Sequence, residues 1–313
     1  MFVPAPTRSR SRRDRQRNDP DERLRRNREA QEAAYEAAKV VLDRAAARRD
    51  AGWRTAAEAN RRRVFLLLAA PAIVGLVVLL AGIAFLPLLV VGALLLVGWA
   101  IVAWLTWANA SSALLGRLGG TTPATADAAG SLQPLRADRL EDLCEGLCAA
   151  LGLPMPELRV LADRSLNAIA IGKHHNDAAI VVTAGLIDEL DRIELEAVIA
   201  HELAHLKRLD IATTTVAASG VGRLLLGLGG ERGRLWFDGA DCEILADLAA
   251  VATTRYPPGM IAALERIGGA GDSRPLSLPG SLLEHTSRSW LVPFESPGSD
   301  LSMEGRLDVL REL

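Results

Sequence analysis

The sequence predicts an α+β fold: a mostly helical domain with a small sheet, preceded by a two-helix transmembrane hairpin and an N-terminal helical arm. Three observations support this prediction: a 44-residue stretch without charge, short strand-like runs between residues 158 and 182, and a helix with both capping and core signals near residue 191. The 313 residues are half apolar, which excludes global disorder. Three cysteines exclude a disulfide scaffold.

The first 63 residues form a basic arm. They hold 18 Arg or Lys against 10 Asp or Glu, whereas the rest of the chain holds 18 against 28. The Arg-rich run at residues 7–17 has no hydrophobic residues and is predicted to be disordered, while residues 22–63 lack Pro and are rich in Ala, Glu and Arg, which predicts a helix. We interpret the arm as cytoplasmic and membrane-hugging. Nucleic-acid binding rests on composition alone and is disfavoured.

Residues 64–107 are predicted to form the transmembrane hairpin. One helix of this length would measure about 66 Å, roughly twice the hydrocarbon core. Gly82 and Pro87 place the break, which gives spans of about 64–83 and 87–107. Three tryptophans near the end of the second span are typical of an interfacial belt. The alternative is a buried hairpin in the core of a soluble protein.

Positive charge predicts the orientation of the hairpin. Arg61, Arg62 and Arg63 precede the first span, which places the N-terminus in the cytoplasm, and an even number of spans returns the chain to that side. The apolar run begins too late and is too long for a signal peptide. We therefore expect a multi-pass protein of the inner (plasma) membrane with both ends cytoplasmic.

A linker at residues 108–136 leads to a domain at residues 137–313. Leucine spacing predicts a helix over 137–151, and three short apolar runs predict strands at 158–161, 168–171 and 179–182. Asp191 with Glu194 three residues later is a variant of the capping box, which predicts a helix from there to about Arg208.

That helix carries the sequence His-Glu-Leu-Ala-His at residues 201–205. Residues four apart share a helical face, so His201 and His205 can reach one Zn²⁺ at about 2.0–2.1 Å. Glu202 lies one position round and can touch a metal-bound water without binding the metal. The five-residue match also occurs by chance on surface helices, so it requires a third ligand.

Glu243 is the candidate third ligand. Glu243 and Asp247 lie one turn apart, so one carboxylate can bind the metal while the other orients a ligand imidazole. An acidic pair at this spacing is often only a solvated face. Here the surrounding residues are apolar, and two buried carboxylates are costly without a cation.

With these motifs, the sequence resembles the HtpX-type and CAAX prenyl endopeptidase family, membrane-associated zinc metalloproteases of the gluzincin class. The resemblance extends over residues 140–313, and its motifs are specific when taken together. The matching segments, in chain order, are residues 167–172, 181–186, 194–205, Asp210, 243–247 and 289–293.

The resemblance implies a zincin-like domain and a role for each motif residue. His201, His205 and Glu243 would bind zinc, Glu202 would be the general base in amide hydrolysis, and Asp247 would orient a ligand. Asn167 would lie on the edge strand along which an extended substrate peptide pairs. The implied substrates are proteins or peptides, and the HtpX-type branch implies quality control of membrane proteins.

Two departures from the family pattern bear on these expectations. Only 37 residues separate His205 from Glu243, and the apolar stretch at residues 211–222 is too short to span the membrane, so we expect it to lie against the domain or the membrane surface. Asp300 stands where the family commonly has a His that stabilises the oxyanion, although Arg306 fits the family Arg. Either Asn167, His285 or Arg306 replaces this His as the group that stabilises the oxyanion, or the enzyme is slow. The alternative is a catalytically degenerate member that acts as a membrane scaffold or regulator.

Overall fold

The computed structural model describes residues 52–69, 71–81, 86–219, 242–270, 275, 277–286, 289–293 and 303–313. All of them belong to the second of two compact units, which begins at Ala51. The predicted disordered run at residues 7–17, most of the predicted arm helix and Asp300 lie outside the described residues.

Twelve helices and three strands are described. In chain order they are α1 Gly52–Ala69, α2 Ala72–Ala81, α3 Leu86–Leu118, α4 Pro123–Ala128, α5 Arg136–Leu151, β1 Glu157–Leu161, β2 Ala168–His174, β3 Asp177–Thr183, α6 Ala184–Glu189, α7 Arg192–Arg208, α8 Ala212–Ala218, α9 Cys242–Thr254, α10 Pro257–Gly269, α11 Gly280–Thr286 and α12 Met303–Arg311. The mostly helical fold with a small sheet is confirmed.

The sheet has the strand order β1-β3-β2, with β1 parallel and β2 antiparallel to β3. Each predicted strand is present, and each is longer by one to three residues. Because side chains alternate along a strand, the sheet divides its apolar residues between two layers. Ala168 and Ala170 of β2 belong to the core shared with α7, whereas Ile169 and Ile171 pack on the opposite side with the end of α3.

Helix α7 is the centre of the domain and begins where the sequence predicts. The Asp191 side chain accepts from the backbone N–H groups of Ile193 and Glu194, and Glu194 Oε2 accepts from the Asp191 N–H at 2.8 Å, which completes the capping box. Arg266 of α10 also donates to both oxygens of Glu194. The start of α7 is therefore fixed by local capping and by a contact to a second helix.

We expect Asp191→Ala to lower the free energy of unfolding by about 0.5–2 kcal/mol, because two backbone N–H groups of the first turn lose their acceptor. Urea unfolding of the purified protein measures this change. Glu196→Ala, on the same helix but beyond the cap, is the control and should be close to neutral. Equal effects of the two substitutions would show that the cap has no special role.

The apolar stretch at residues 64–107 does not form two full-length helices. Its first part is divided between α1, which ends at Ala69, and the ten-residue α2, with Pro71 between them. Proline lacks the backbone N–H that a continuous helix would use there. Within the described residues, one helix is long and apolar enough to cross a membrane, over Leu89–Leu118. The hairpin of two spans is not confirmed and stays a prediction.

Helices α2 and α3 nevertheless pack closely in antiparallel directions. A Cβ at Gly92 would lie 2.7 Å from the Leu79 backbone nitrogen, and a Cβ at Gly75 would lie 2.7 Å from Leu96 Cδ2. The two glycines therefore permit a close helix contact, as small residues do between helices in membranes.

Helix α3 continues through the first part of the predicted linker. It ends at Leu118 instead of Trp107, because Leu114, Leu115 and Leu118 are buried against the sheet. Its earlier part carries exposed apolar side chains, among them Leu94 and Trp104, which are each 66% exposed. One helix thus joins an apolar outer surface to the core of the domain.

Candidate metal centre

Two helices bring three ligand-type side chains together. His201 and His205 lie one turn apart on α7 and are buried, and Glu243 lies in the first turn of α9, which packs on α7. The two Nε2 atoms are 3.1 Å apart, and they lie 3.5 Å from different oxygens of Glu243, His201 from Oε2 and His205 from Oε1. In the part of the chain that the structure describes, this is the one trio whose ligand atoms all lie within 4.8 Å of one another.

The spacing and chemistry of this trio fit a metal ion. Ligands about 2.0–2.1 Å from a tetrahedral Zn²⁺ lie about 3.3 Å from one another, which is close to the three distances observed. Each histidine directs its Nδ1 at a carboxylate, so with a metal bound Nδ1 would carry the proton and Nε2 would offer its lone pair to the ion. Two imidazole nitrogens and a carboxylate that face one another are a donor set suited to a divalent cation.

His201 is oriented by a buried carboxylate. Asp247, one turn after Glu243, accepts from His201 Nδ1 at 2.8 Å and from Nε and Nη2 of Arg306 at 2.7 Å each. Burial raises the pKa of Asp247, but Arg306 and His201 outweigh it and hold that pKa at about 2. Burial lowers the pKa of His201, but Asp247 and Glu243 raise it to about 9 in the metal-free chain. The Asp247 carboxylate is therefore ionised at neutral pH.

His205 has an equivalent partner in Asp210, a role that the sequence alone did not predict. Asp210 Oδ1 accepts from His205 Nδ1 at 2.9 Å, and its other oxygen lies 3.3 Å from Arg208 Nε. The helix ends at Arg208 and Leu209 adopts a left-handed conformation with φ of 52°, which turns the chain back toward His205. An Asp five residues after the second histidine was the available signal.

Glu202 lies beside the trio and is 1% exposed. Burial raises the pKa of Glu202. Neither of its carboxylate oxygens accepts a hydrogen bond of ordinary geometry among the described residues, although the Ala170 backbone lies near enough to lower the pKa of Glu202. A buried carboxylate without a partner is costly in a folded protein, which indicates that a ligand completes this site.

Asn167 and Arg306 are both buried, but neither is directed at the three ligand-type side chains as a free donor. Both groups of the Asn167 amide bond Val292, and Arg306 donates to Asp247 and to Leu291 O. Arg306 Nη1 also lies 3.6 Å from Glu243. The His285 side chain and Asp300 lie outside the described residues.

The outer edge of β2 is already partly paired. Leu291 N–H donates to Ala168 O at 2.9 Å, Trp290 forms an antiparallel bridge with Ile169, and the Gly172 N–H donates to Thr215 of α8. Pairing of a substrate strand with this edge therefore stays a prediction. Such a strand would have to bond the outward-facing backbone groups of Ala170. Helix α8 itself is buried against the domain, as expected for the short apolar stretch that contains it.

Two histidines one turn apart on a helix, a carboxylate from a second helix and a glutamate between the histidines form the arrangement typical of metallopeptidases. Residues 134–253 match the model of Peptidase family M48. A Protease HtpX homolog of Leuconostoc citreum is 31% identical over 257 residues, 67% of this chain and 83% of that protein. The chain belongs to peptidase family M48, together with the HtpX-type proteases.

Other relatives match a shorter part. A Protease HtpX homolog of Dictyoglomus thermophilum is 36% identical over 162 residues, which cover 41% of this chain and 53% of the relative. A Protease HtpX homolog of Salinibacter ruber is 41% identical over 112 residues, 36% of this chain and 40% of the relative. The chain thus spans about half the length of the first of these relatives. No solved structure matches this chain.

Proposed function

We propose that this protein is a membrane-anchored zinc-dependent endopeptidase that hydrolyses peptide bonds of protein substrates. The observation that carries the proposal is the trio of His201, His205 and Glu243 beside an unpartnered, buried Glu202. Its ligand atoms match the preference of zinc for nitrogen and oxygen donors in a catalytic site, which uses three protein ligands. Membership in family M48 supports the same chemistry.

Each residue of the site has a defined task in this proposal. The two Nε2 atoms and a Glu243 oxygen would hold the metal, while Asp247 and Asp210 fix the imidazole rings. A zinc ion there would acidify a water and polarise the substrate carbonyl. Glu202, buried beside the trio, would accept the proton of that water and return it to the leaving nitrogen.

Removal of zinc tests the proposal. The purified full chain should cleave casein, lose that activity when a chelator removes zinc, and regain it when zinc is restored. The matched control is a chelator already saturated with zinc, which should have no effect. Zinc-loaded, folded protein that never cleaves casein or short peptides would instead support the alternative of a catalytically degenerate scaffold or regulator. The reason to consider that alternative is Asp300, which stands where the family commonly has a His.

The outer surface of α2 and α3 supports membrane anchoring. Large apolar side chains such as Leu76, Leu80 and Leu94 are about half to two-thirds exposed there. Exposure of such a surface is unfavourable in water but favourable in lipid. Arg61, Arg62 and Arg63 of α1 are exposed next to this region. We infer an inner-membrane location with the domain in the cytoplasm, where membrane-protein quality control is the proposed role.

The topology has a direct test. Tags at the N-terminus and after Leu313 should both resist external protease in intact cells, because the arginines of α1 hold the N-terminus inside and a hairpin returns the chain to the same side. Lysed cells provide the control in which both tags are cut. Cleavage of one tag alone in intact cells would mean a single crossing through α3.

A further inference from the structure

A short segment at residues 289–293, here called the edge segment, is fixed to the start of β2 by Asn167. The Asn167 Oδ1 atom accepts from the Val292 N–H at 3.1 Å, and its Nδ2 donates to Val292 O at 3.0 Å. The side-chain amide thus bonds both backbone groups of one residue, as a neighbouring strand would. The next pairs are Leu291 N–H with Ala168 O and Trp290 with Ile169.

The edge segment is in turn bonded to the residues around the metal centre. The Leu291 carbonyl accepts from Arg306 Nη1 at 2.7 Å. The other two donors of the Arg306 fork bind Asp247, which accepts from His201 Nδ1. Asn167, Arg306 and Asp247 are 0%, 3% and 1% exposed, so the bonds between Arg306 and Asp247 are shielded from solvent.

We propose that Asn167 is a positioning residue for the metal centre and does not bind substrate. It holds the edge segment so that the guanidinium of Arg306 donates to both Leu291 O and Asp247. Arg306 then fixes the Asp247 carboxylate, which orients His201. A planar guanidinium that donates from three nitrogens has one orientation, so a shift of the Leu291 carbonyl would move Arg306 and, with it, the Asp247 carboxylate. The inference rests on the proposed function, since it assumes that His201 binds zinc.

The test is a double-mutant cycle on zinc affinity. The zinc dissociation constant of the full chain in detergent is measured by chelator competition for Asn167→Ala, Arg306→Lys and the double variant. Loss of a partner that orients a metal ligand costs about 10–100-fold in affinity, so Arg306→Lys should fall in that range and Asn167→Ala near about tenfold. The double variant should bind zinc no more weakly than Arg306→Lys alone, because both changes act through one path. The KM of Asn167→Ala for a casein-derived peptide should not change.

The matched control is Thr286→Val. It removes the hydrogen bond from Trp290 Nε1 to Thr286 Oγ1 at 3.0 Å, which also holds the edge segment but lies outside the path to Arg306. Zinc affinity should then be that of the unsubstituted chain. If Asn167→Ala does not fold, Asn167→Ser replaces it, because its hydroxyl retains polar contact with the edge segment.

Three outcomes separate the possibilities. A raised KM with unchanged zinc affinity in the Asn167 variant would overturn the inference and return Asn167 to the substrate. Independent, multiplying losses in the double variant would overturn it as well, since two separate paths would then exist. Absence of zinc binding in the unsubstituted chain would instead contradict the proposed function itself.

Discussion

Glu202→Gln should lower kcat/KM for peptide hydrolysis by about 10²–10⁴-fold while one zinc per chain is retained, since general base catalysis contributes a factor of this size. The amide has nearly the same shape as the carboxylate but cannot accept the proton of the attacking water. Glu202 is not one of the three clustered ligand residues, so the variant should retain its metal. Activity is measured with a fluorogenic peptide and zinc by elemental analysis of the same sample.

Glu196→Gln is the matched control for this substitution. Glu196 lies on α7 as well but outside the metal centre, so its loss should leave both activity and zinc content unchanged. Because Glu202 is buried and has no hydrogen-bond partner among the described residues, Glu202→Gln should not destabilise the fold. Undiminished hydrolysis by the zinc-loaded Gln variant would exclude Glu202 as the base.

Features of the site that depend on local chemistry could be predicted from the sequence. The capping box of Asp191 and Glu194 fixes where α7 begins, and the 3.6-residue period then places His201 and His205 on one face. The apolar neighbours of Glu243 and Asp247 predicted a buried helix, and five of the 13 residues of α9, Asp247 among them, are buried. These inferences need few long-range contacts, which explains their success.

Features that depend on distant pairing could not be predicted. The clamp of Arg306 on Asp247 joins residues 59 positions apart, and the bond of Asn167 with Val292 joins residues 125 positions apart. Hydropathy likewise does not show that Leu114 and Leu118 pack on a sheet, so the end of α3 was assigned to a linker. Apolar composition alone does not distinguish lipid from protein as the environment of a helix.

Glu243→Ala should raise the zinc dissociation constant by at least about a hundredfold, because it removes a ligand and even a partner that only orients a ligand is worth 10–100-fold. Two imidazoles would remain, with Asp247 and Asp210 still holding their Nδ1 atoms. After dialysis, the variant should contain well under one zinc per chain and lack hydrolytic activity. Glu265→Ala, an exposed carboxylate of α10 paired with Arg311 at 2.7 Å, is the matched control and should retain full zinc. Stoichiometric zinc in Glu243→Ala would remove this residue from the ligand set, whereas loss of zinc here and its retention in Glu202→Gln would distinguish ligand from base.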